Sequence, residues 1–273
     1  MSRRKLSLSA LTVLELTPPQ MVECAARAGY DFVDLRLLPA TDTEVRHEIV
    51  GATPLKRETL AVLKDTGIGV LDVEILRLKP DTNVADYAPM LETAAELGAR
   101  YVLVAGNDPD EARTAERLAQ PYGLSPSLEP MPWTDAKDIV QGARIVKAAG
   151  RANTGLIIDP LHFDRTGSST GTLRELPREW FGYVQFCDAP ARCPTNLDTL
   201  LYQARAERMI PGEGGLDLAG HSARFAGRPA AVPRSADERM GEDRRCAQAR
   251  KAPAPGDTGG AREDLCARLT FAS

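Results

Sequence analysis

Short apolar runs alternate with helical patterns throughout the first 220 residues of this chain. Runs rich in Val, Ile and Leu, such as residues 69–76 (GVLDVEIL) and 155–159 (GLIID), are each followed by a longer stretch with helical spacing. Strands that alternate with helices in this way form parallel sheets, because each helix carries the chain back to the start of the next strand. Seven strands at intervals of roughly 25–35 residues predict an eightfold (β/α) barrel of the TIM type.

A doubly wound sheet that binds a dinucleotide is less compatible with the sequence than a barrel. Such a sheet carries the motif G-x-G-x-x-G after its first strand, and no such motif follows the first predicted strand at residues 6–16. Backbone amides of the Gly-rich segment 212–215 (GEGG) could cradle an anion in a phosphate-binding protein of another class. That signal is weak, because no Lys-Ser or Lys-Thr pair follows the segment as it does in a P-loop.

The composition of the chain changes after residue 220. Residues 221–273 hold twelve Ala and nine Arg, but only five residues of Val, Ile, Leu or Phe. Five in 53 is about half of the ~20% below which chains tend to be disordered, and no apolar strand of four residues can be placed there. We therefore expect a barrel over residues 1–220, incomplete because its eighth strand is not identifiable, and a disordered, low-complexity tail over residues 221–273.

The sequence leaves two explanations open for the origin of this tail. Ala, Arg, Pro and Gly dominate it, as they do when GC-rich coding DNA is read out of frame. A frameshift near Gly220 is therefore one hypothesis, which resequencing of the coding DNA tests, and a natural disordered tail is the other.

Charge and hydropathy argue against several kinds of partner. The whole chain has a formal net charge of −4, and residues 1–220 alone carry −7, which argues against a nucleic acid or another polyanion. Aromatic residues make up only 5%, too few for a surface that stacks single-stranded bases. No run of 18 apolar residues is present, and the N-terminal MSRRK leads into a strand-like segment instead of a signal-peptide core. We expect a cytoplasmic protein without a nucleic-acid or membrane partner.

Polar residues close most of the predicted strands. In a barrel of this type the chemistry takes place at the C-terminal ends of the strands. The polar residues at those ends are Glu15, Arg36, Glu74, Asn107, Glu129, Asp159, Gln185 and Asp188. Two carboxylates and an amide or imidazole from adjacent strands can hold a divalent ion such as Mn²⁺, Mg²⁺ or Co²⁺. Any one of these acids could instead cap the helix that follows it.

Several short motifs, taken in order, resemble the xylose isomerase-like barrel family of sugar phosphate isomerases and epimerases. These motifs are MVECAARAGYDFVDLRL (21–37), SLEPMPW (127–133), IIDPLHF (157–163), YVQFCD (183–188) and ERMIPGEGGLDL (207–218). The resemblance covers about residues 5–220. It implies a barrel fold and a small carbohydrate as substrate, and a homo-oligomer is compatible with it.

The same resemblance implies roles for particular residues. The implied ligands of a divalent metal are Glu129, Asp159 and Gln185. Gln185 stands where many family members have His, and an amide oxygen favours Mg²⁺ or Mn²⁺ over Zn²⁺. His162, three positions after the Asp, is implied to bond a substrate oxygen and to act with Glu129 in catalysis. Three further candidates for contacts with the substrate or the pocket mouth are Trp133, Arg208 and Glu213.

The implied reaction is the isomerisation or epimerisation of a sugar or sugar phosphate. A metal-bound glutamate removes the proton alpha to a carbonyl, and the metal stabilises the enediolate that forms. A keto-inositol-type dehydratase, which expels a hydroxyl after the same step, and a catalytically impaired barrel that only binds a small molecule are the alternatives. A DNA-repair endonuclease for abasic sites is disfavoured, because the chain has only three His and an acidic body.

Two departures from the family pattern affect these expectations. Residues 109–120 allow only about three helical turns where family members have a long helix. No eighth strand ending in a metal-binding Glu follows residue 220. We therefore expect weak metal binding, low or absent turnover, and open barrel edges at the first and seventh strands.

Overall fold

The computed structural model describes residues 5–118, 120, 123–225 and 269–272, which form a barrel of eight strands with helices around it. The strands are β1 (Lys5–Leu8), β2 (Phe32–Arg36), β3 (Gly69–Leu78), β4 (Tyr101–Gly106), β5 (Ser125–Glu129), β6 (Gly155–Leu156), β7 (Tyr183–Phe186) and β8 (Leu269–Ala272). They are hydrogen-bonded in the order β6-β5-β4-β3-β2-β1-β8-β7, and a parallel bridge between Ile158 and Val184 joins the two ends. The predicted TIM-type barrel is therefore confirmed.

Local sequence chemistry sets the ends of several helices. The helices are α1 (Pro18–Ala28), α2 (Pro54–Thr66), α3 (Ala88–Glu96), α4 (Glu111–Leu118), α5 (Ile139–Ala149), α6 (Pro160–Arg165), α7 (Thr170–Glu175), α8 (Leu197–Ala206) and α9 (Leu218–Phe225). At the start of α2, the Thr53 side chain accepts the backbone N–H of Lys56. Gly67 ends the same helix with a φ of 73°, a left-handed conformation that glycine adopts without a steric penalty.

Helix α5 begins at Ile139, after a turn that follows β5. The Thr134 hydroxyl donates to the carbonyl oxygens of Met131 and Ala136, both at 2.9 Å, and this holds the preceding segment in a turn. Asp138 then accepts a backbone N–H of the first helical turn and caps the helix. The turn places the segment after β5 beside the C-terminal end of the barrel, where the chemistry is expected.

Two apolar layers hold the barrel together. The main core joins helix residues such as Val22 and Ile145 with strand residues such as Val33 and Val102. A smaller buried cluster includes Leu103, the next residue along β4. Because successive side chains of a strand point to opposite faces, the main core lies outside the barrel, under the helices, and the smaller cluster lies inside it.

Helix α4 is short, as the sequence predicts, and one buried carboxylate ties it to β4. Asp108 receives hydrogen bonds from Arg113 at 2.5 and 2.6 Å and from Arg117 at 2.9 Å. The hydrogen bond from Arg113, then that from the backbone N–H of Asp110, and then the charges of both arginines lower the pKa of Asp108 to about 2. The ionised carboxylate therefore stabilises the fold at neutral pH.

We expect Asp108→Asn to lower the free energy of unfolding by about 1–3 kcal/mol at pH 7, because hydrogen bonds to a charged partner are lost. A depressed pKa contributes stability above the ordinary Asp value of ~3.9, and this contribution disappears as the pH falls towards 2. Urea titrations should therefore show the difference from wild type shrinking between pH 4 and pH 2. Asp110→Asn, at an exposed carboxylate 3.5 Å from Arg113, is the matched control. If Asp110→Asn lowered the free energy of unfolding as much as Asp108→Asn does, the stabilising role assigned to Asp108 would be contradicted.

The gap between β1 and β7 is filled by a strand that runs in the opposite direction to the others. β8 pairs antiparallel with β1, with Leu269 opposite Leu8 and Ala272 opposite Lys5, and it pairs antiparallel with β7 as well. The expectation of open edges at the first and seventh strands is therefore wrong. Four residues (LTFA) were too short a run to identify, but two flanking edges with unpaired backbone groups can bind a strand this short.

The direction of β8 matters for the site. Its last residue lies beside the N-terminal ends of β1 and β7, so the strand brings no carboxylate to the opposite end of the barrel. Helix α9 runs across the expected boundary at residues 220–221. The disorder predicted for the tail falls largely on residues 226–268, which lie outside the described residues. None of the helices in the described ranges has the length and hydropathy to span a membrane.

Candidate active site

Three side chains meet at the C-terminal ends of β5 and β6. Glu129 is the last residue of β5, Asp159 precedes α6, and His162 lies in the first turn of that helix. The His162 Nε2 atom is 3.9 Å from Glu129 Oε1 and 3.9 Å from Asp159 Oδ2. All three residues are about 2% exposed, and one ligand-type atom from each lies within 4.8 Å of the others. The structure thus brings together three of the residues that the sequence suggests.

Asp159 caps a helix and faces the site at the same time. Its Oδ1 atom accepts the backbone N–H groups of Leu161 at 2.9 Å and His162 at 3.4 Å. This is the capping role that the sequence left open. The second oxygen, Oδ2, is directed to His162 and to Arg208, so the two interpretations of this residue do not exclude each other.

Arg208 is the cation of this cluster. Its Nη1 donates to Asp159 Oδ2 at 2.7 Å, and its Nη2 lies 3.3 Å from His162 Nε2. The loop after it is fixed by Asp188, whose carboxylate accepts backbone N–H groups of Gly212 at 2.9 Å and Leu216 at 3.0 Å. These bonds explain how the motif at 207–218 delivers an arginine to the barrel end.

The other two candidates for substrate contacts have different positions. Trp133 packs edge-on against the His162 ring, with centroids 4.8 Å apart and planes at 89°, and it lines the pocket. Glu213 is exposed in the turn after Ile210 and is not among the described residues that line the pocket. The structure therefore brings Trp133 and Arg208 to the site, but not Glu213.

Gln185 lies on the β3 side of the barrel interior. Its Nε2 donates to Glu74 Oε1 at 3.4 Å, and its Oε1 is buried with no hydrogen-bond donor among the described residues. Glu74 in turn is held by Arg36, whose Nε donates to Glu74 Oε2 at 3.0 Å. Arg36 also forms an ion pair of 2.8 Å with Glu44. Arg36 and Glu74 both lie at predicted strand ends, and the structure pairs them.

A second group of buried carboxylates continues from Glu74 into the barrel. Ligand atoms of Asp34, Asp72 and Glu74 lie within 4.8 Å of one another. Burial, and then the charges of Glu74 and Asp72, raise the pKa of Asp34 well above its ordinary value. The Tyr183 hydroxyl donates to Asp72 Oδ2 at 2.9 Å. Asp34 and Asp72 are not among the candidates from the sequence, although a charged residue inside an apolar strand is a usable signal.

The pocket above these groups has a volume of about 200 Å³. Drug-sized ligands occupy pockets of about 300–1,000 Å³, so this one suits a small metabolite. Its walls carry the carboxylates Glu74 and Glu129 and the guanidinium groups of Arg36, Arg77, Arg205 and Arg208. Arg77 and Arg205 were not among the candidates from the sequence.

The donor set is chemically suited to a divalent cation. Two carboxylates and an imidazole, all buried and mutually close, are ligands that Mn²⁺, Co²⁺ and Zn²⁺ accept. The buried Gln185 Oε1 is a further oxygen acceptor without a donor among the described residues. The guanidinium of Arg208 competes for the same Asp159 oxygen, so a metal ion would have to displace a cation that is already bonded there.

Comparison with known proteins connects this geometry to a family. Residues 22–226 match the sequence profile described as "Xylose isomerase-like TIM barrel". A 3-dehydroshikimate dehydratase of Pseudomonas aeruginosa is 28% identical over 230 residues, which are 77% of this chain and 34% of that protein. The chain therefore spans only about a third of the length of this relative. An inosose isomerase of Bacillus velezensis is 23% identical over 237 residues, 80% of this chain and 82% of that protein.

The fold also has close counterparts among solved structures. The crystal structure of the IOLI protein "with a binding zinc atom" superposes with a TM-score of 0.68 at 20% identity. The match covers 89% of this chain and 96% of that chain. At this level of identity the likeness shows a shared fold.

Proposed function

Since the chain belongs to the xylose isomerase-like TIM barrel family, we propose that it removes a proton alpha to the carbonyl of a small polyhydroxy ketone, as an isomerase or a dehydratase. The observation that carries the proposal is the buried cluster of Glu129, Asp159 and His162, of which Glu129 and His162 line a small pocket. The inosose isomerase and the dehydratase among the relatives support this class of reaction.

In this proposal Glu129 is the base. A carboxylate at the end of a barrel strand, next to the pocket, can take the proton from the carbon beside the carbonyl. His162, 3.9 Å from that carboxylate, bonds the substrate oxygen, and Trp133 restricts the orientation of its ring. The positive charge of Arg208 stabilises the negative charge that develops on the carbonyl oxygen.

A divalent metal ion is part of the proposal. Glu129 and Asp159 would hold it, with the buried amide oxygen of Gln185 as a further ligand, which leaves His162 for the substrate. When bound, such an ion polarises the substrate carbonyl. Mn²⁺, Mg²⁺ and Co²⁺ are the ions proposed, and Zn²⁺ joins the test because the IOLI structure contains zinc.

Isomerisation and dehydration are favoured over epimerisation. In isomerisation the proton returns to the neighbouring carbon, and in dehydration the enediolate expels a hydroxyl that leaves as water after taking up a proton. Both need proton transfer on only one face of the substrate, whereas epimerisation needs a second proton-transfer group on the opposite face of the substrate. Among the residues that the structure describes, Glu74 is the other carboxylate of the pocket wall and is bonded by Arg36, and the strand β8 itself contains no carboxylate.

A barrel that only binds its ligand is the second candidate. The interaction that favours it is the bond between Arg208 and Asp159 Oδ2, which neutralises an oxygen that a metal would need. A cytoplasmic location, a homo-oligomeric assembly and the absence of nucleic-acid and membrane partners remain predictions.

Exchange of substrate hydrogen with D₂O separates the two candidates. We expect the chain, supplied with Mn²⁺, Mg²⁺, Co²⁺ or Zn²⁺, to incorporate deuterium at the carbon alpha to the carbonyl of inosose or 3-dehydroshikimate, because proton removal precedes both outcomes. Proton NMR detects the exchange even when the net reaction is slow. If the chain binds either compound but shows no deuterium exchange with all four metals tested, the proposed catalysis is wrong and the function is ligand binding alone.

A further inference from the structure

Arg77 is a half-buried cation in the pocket wall without an acidic partner. Its guanidinium donates to the backbone carbonyl oxygens of Ala40 at 2.9 Å and Pro39 at 3.4 Å. Within the described ranges, no carboxylate lies within 4.0 Å of it. Burial, and then the charge of Arg36, lowers the pKa of Arg77 below its ordinary value, and the charge of Glu44, which is itself paired with Arg36, offsets this only in part. A partly buried charge lowers the stability of the folded protein unless an anion compensates it.

Arg205 adds a second uncompensated charge to the same wall. It lies on α8, lines the pocket and is exposed, and its side chain makes no hydrogen bond or ion pair with any described residue. Its charge also lowers the pKa of Arg77, so the two guanidinium groups act on each other. The remaining arginines of the wall are neutralised, Arg36 by Glu74 and Glu44 and Arg208 by Asp159.

The pocket therefore has two electrostatic parts. The floor, at Glu129 and His162, has the groups for proton transfer, and the part at Arg77 and Arg205 has an excess of positive charge. Guanidinium groups bind carboxylates and phosphates through paired N–H donors, and partial exclusion of water strengthens that attraction. A neutral sugar gains nothing comparable from such an arrangement.

We propose that Arg77 and Arg205 form a subsite for one oxyanion of the substrate, either a carboxylate or a phosphate. The subsite rests on the proposed function and narrows its substrate class to a small anionic polyhydroxy ketone, in preference to a neutral keto-inositol. Arg77 and Arg205 then determine specificity, while Glu129 and His162 perform the proton transfer. Loss of one such charged contact weakens binding by about 10- to 100-fold.

Calorimetric titration of the full chain with three compounds tests the subsite. The compounds are 3-dehydroshikimate for the carboxylate, fructose 6-phosphate for the phosphate and inosose as the neutral ketone. We expect one anionic compound to bind at least tenfold more tightly than inosose. Arg77→Gln and Arg205→Gln should each weaken binding of that anion by about 10- to 100-fold and change the affinity for inosose by less than threefold.

Two further variants separate recognition from structure. Arg77→Lys keeps the charge and should retain part of the preference for the anion. Arg57→Gln, at an exposed arginine on α2, makes the same change in net charge away from the pocket and should leave all affinities unchanged. Arg205→Gln removes an exposed side chain, so it tests the subsite even if Arg77→Gln unfolds the segment at Pro39 and Ala40.

Two results would overturn the subsite. One is that the wild type binds both anions no more tightly than inosose. The other is that the Arg77 and Arg205 variants lose affinity for inosose and for the anions by the same factor. The first would mean that the excess charge does not select the ligand, and the second that the two arginines only support the fold. Because these are binding measurements, a preference for the anion without deuterium exchange would refute the proposed catalysis and leave the subsite standing.

Discussion

Glu129→Gln should reduce turnover by about 10²- to 10⁴-fold, the usual contribution of a positioned general base. Glutamine has nearly the same shape as glutamate but cannot accept the proton from the substrate carbon. The side chain is 2% exposed at the end of β5, and because glutamine fills the same volume, the packing around it should change little. We expect the rate of deuterium exchange to fall by the same factor, while the melting temperature stays within a few degrees of wild type.

The control for this experiment is Glu92→Gln, which neutralises an exposed carboxylate on α3. It should leave both turnover and melting temperature unchanged. If Glu129→Gln keeps exchange within threefold of the wild-type rate, the base lies elsewhere, and Glu74 becomes the next carboxylate of the pocket to test.

Asp159→Asn should lower the free energy of unfolding by about 3–5 kcal/mol, the range observed when one partner of a buried ion pair is removed. The Arg208 side chain is 1% exposed and donates to Asp159 Oδ2 at 2.7 Å, so neutralising the carboxylate leaves a buried charge without its partner. Asparagine keeps one side-chain oxygen that can still cap α6, so the substitution removes mainly the negative charge on the side that faces Arg208. Denaturant titration measures the loss.

A double-mutant cycle isolates the ion pair. Asp159→Asn combined with Arg208→Gln should be less destabilised than the sum of the two single variants, because neither charge remains buried alone. Arg208→Gln by itself should tighten binding of Mn²⁺, since the competing cation at Asp159 Oδ2 is gone. A loss below 1 kcal/mol for Asp159→Asn, or strict additivity in the cycle, would show that the pair contributes little.

Part of the candidate site could be predicted from local sequence. Glu129 and Asp159 follow apolar runs that pair as neighbouring parallel strands, so their side chains meet at one end of the barrel. His162 follows Asp159 by three residues, which places it in the first turn of the helix that Asp159 caps. These inferences depend on sequence spacing and strand direction, both of which can be read along the chain.

Other parts of the site depend on contacts between distant residues. The amide of Gln185 bonds Glu74, 111 positions away, and the sequence contains no signal for that orientation. Arg77 and Arg205 lie on different elements, and only the closure of the barrel brings both to one pocket. Glu213 follows Arg208 in the same motif, yet the turn that Asp188 stabilises leaves it exposed.

Strand and helix alternation, helix caps such as Thr53 and Asp138, and the residues that end β5 and β6 follow from the sequence, because short-range sterics and hydrogen bonds determine them. The direction of β8, the partner of Gln185 and the excess charge around Arg77 were decided by the tertiary structure. Each of these depends on free backbone edges or charges contributed by segments far apart in the chain. These interactions form, and contribute to stability, only after the barrel has closed and water has been excluded from its interior.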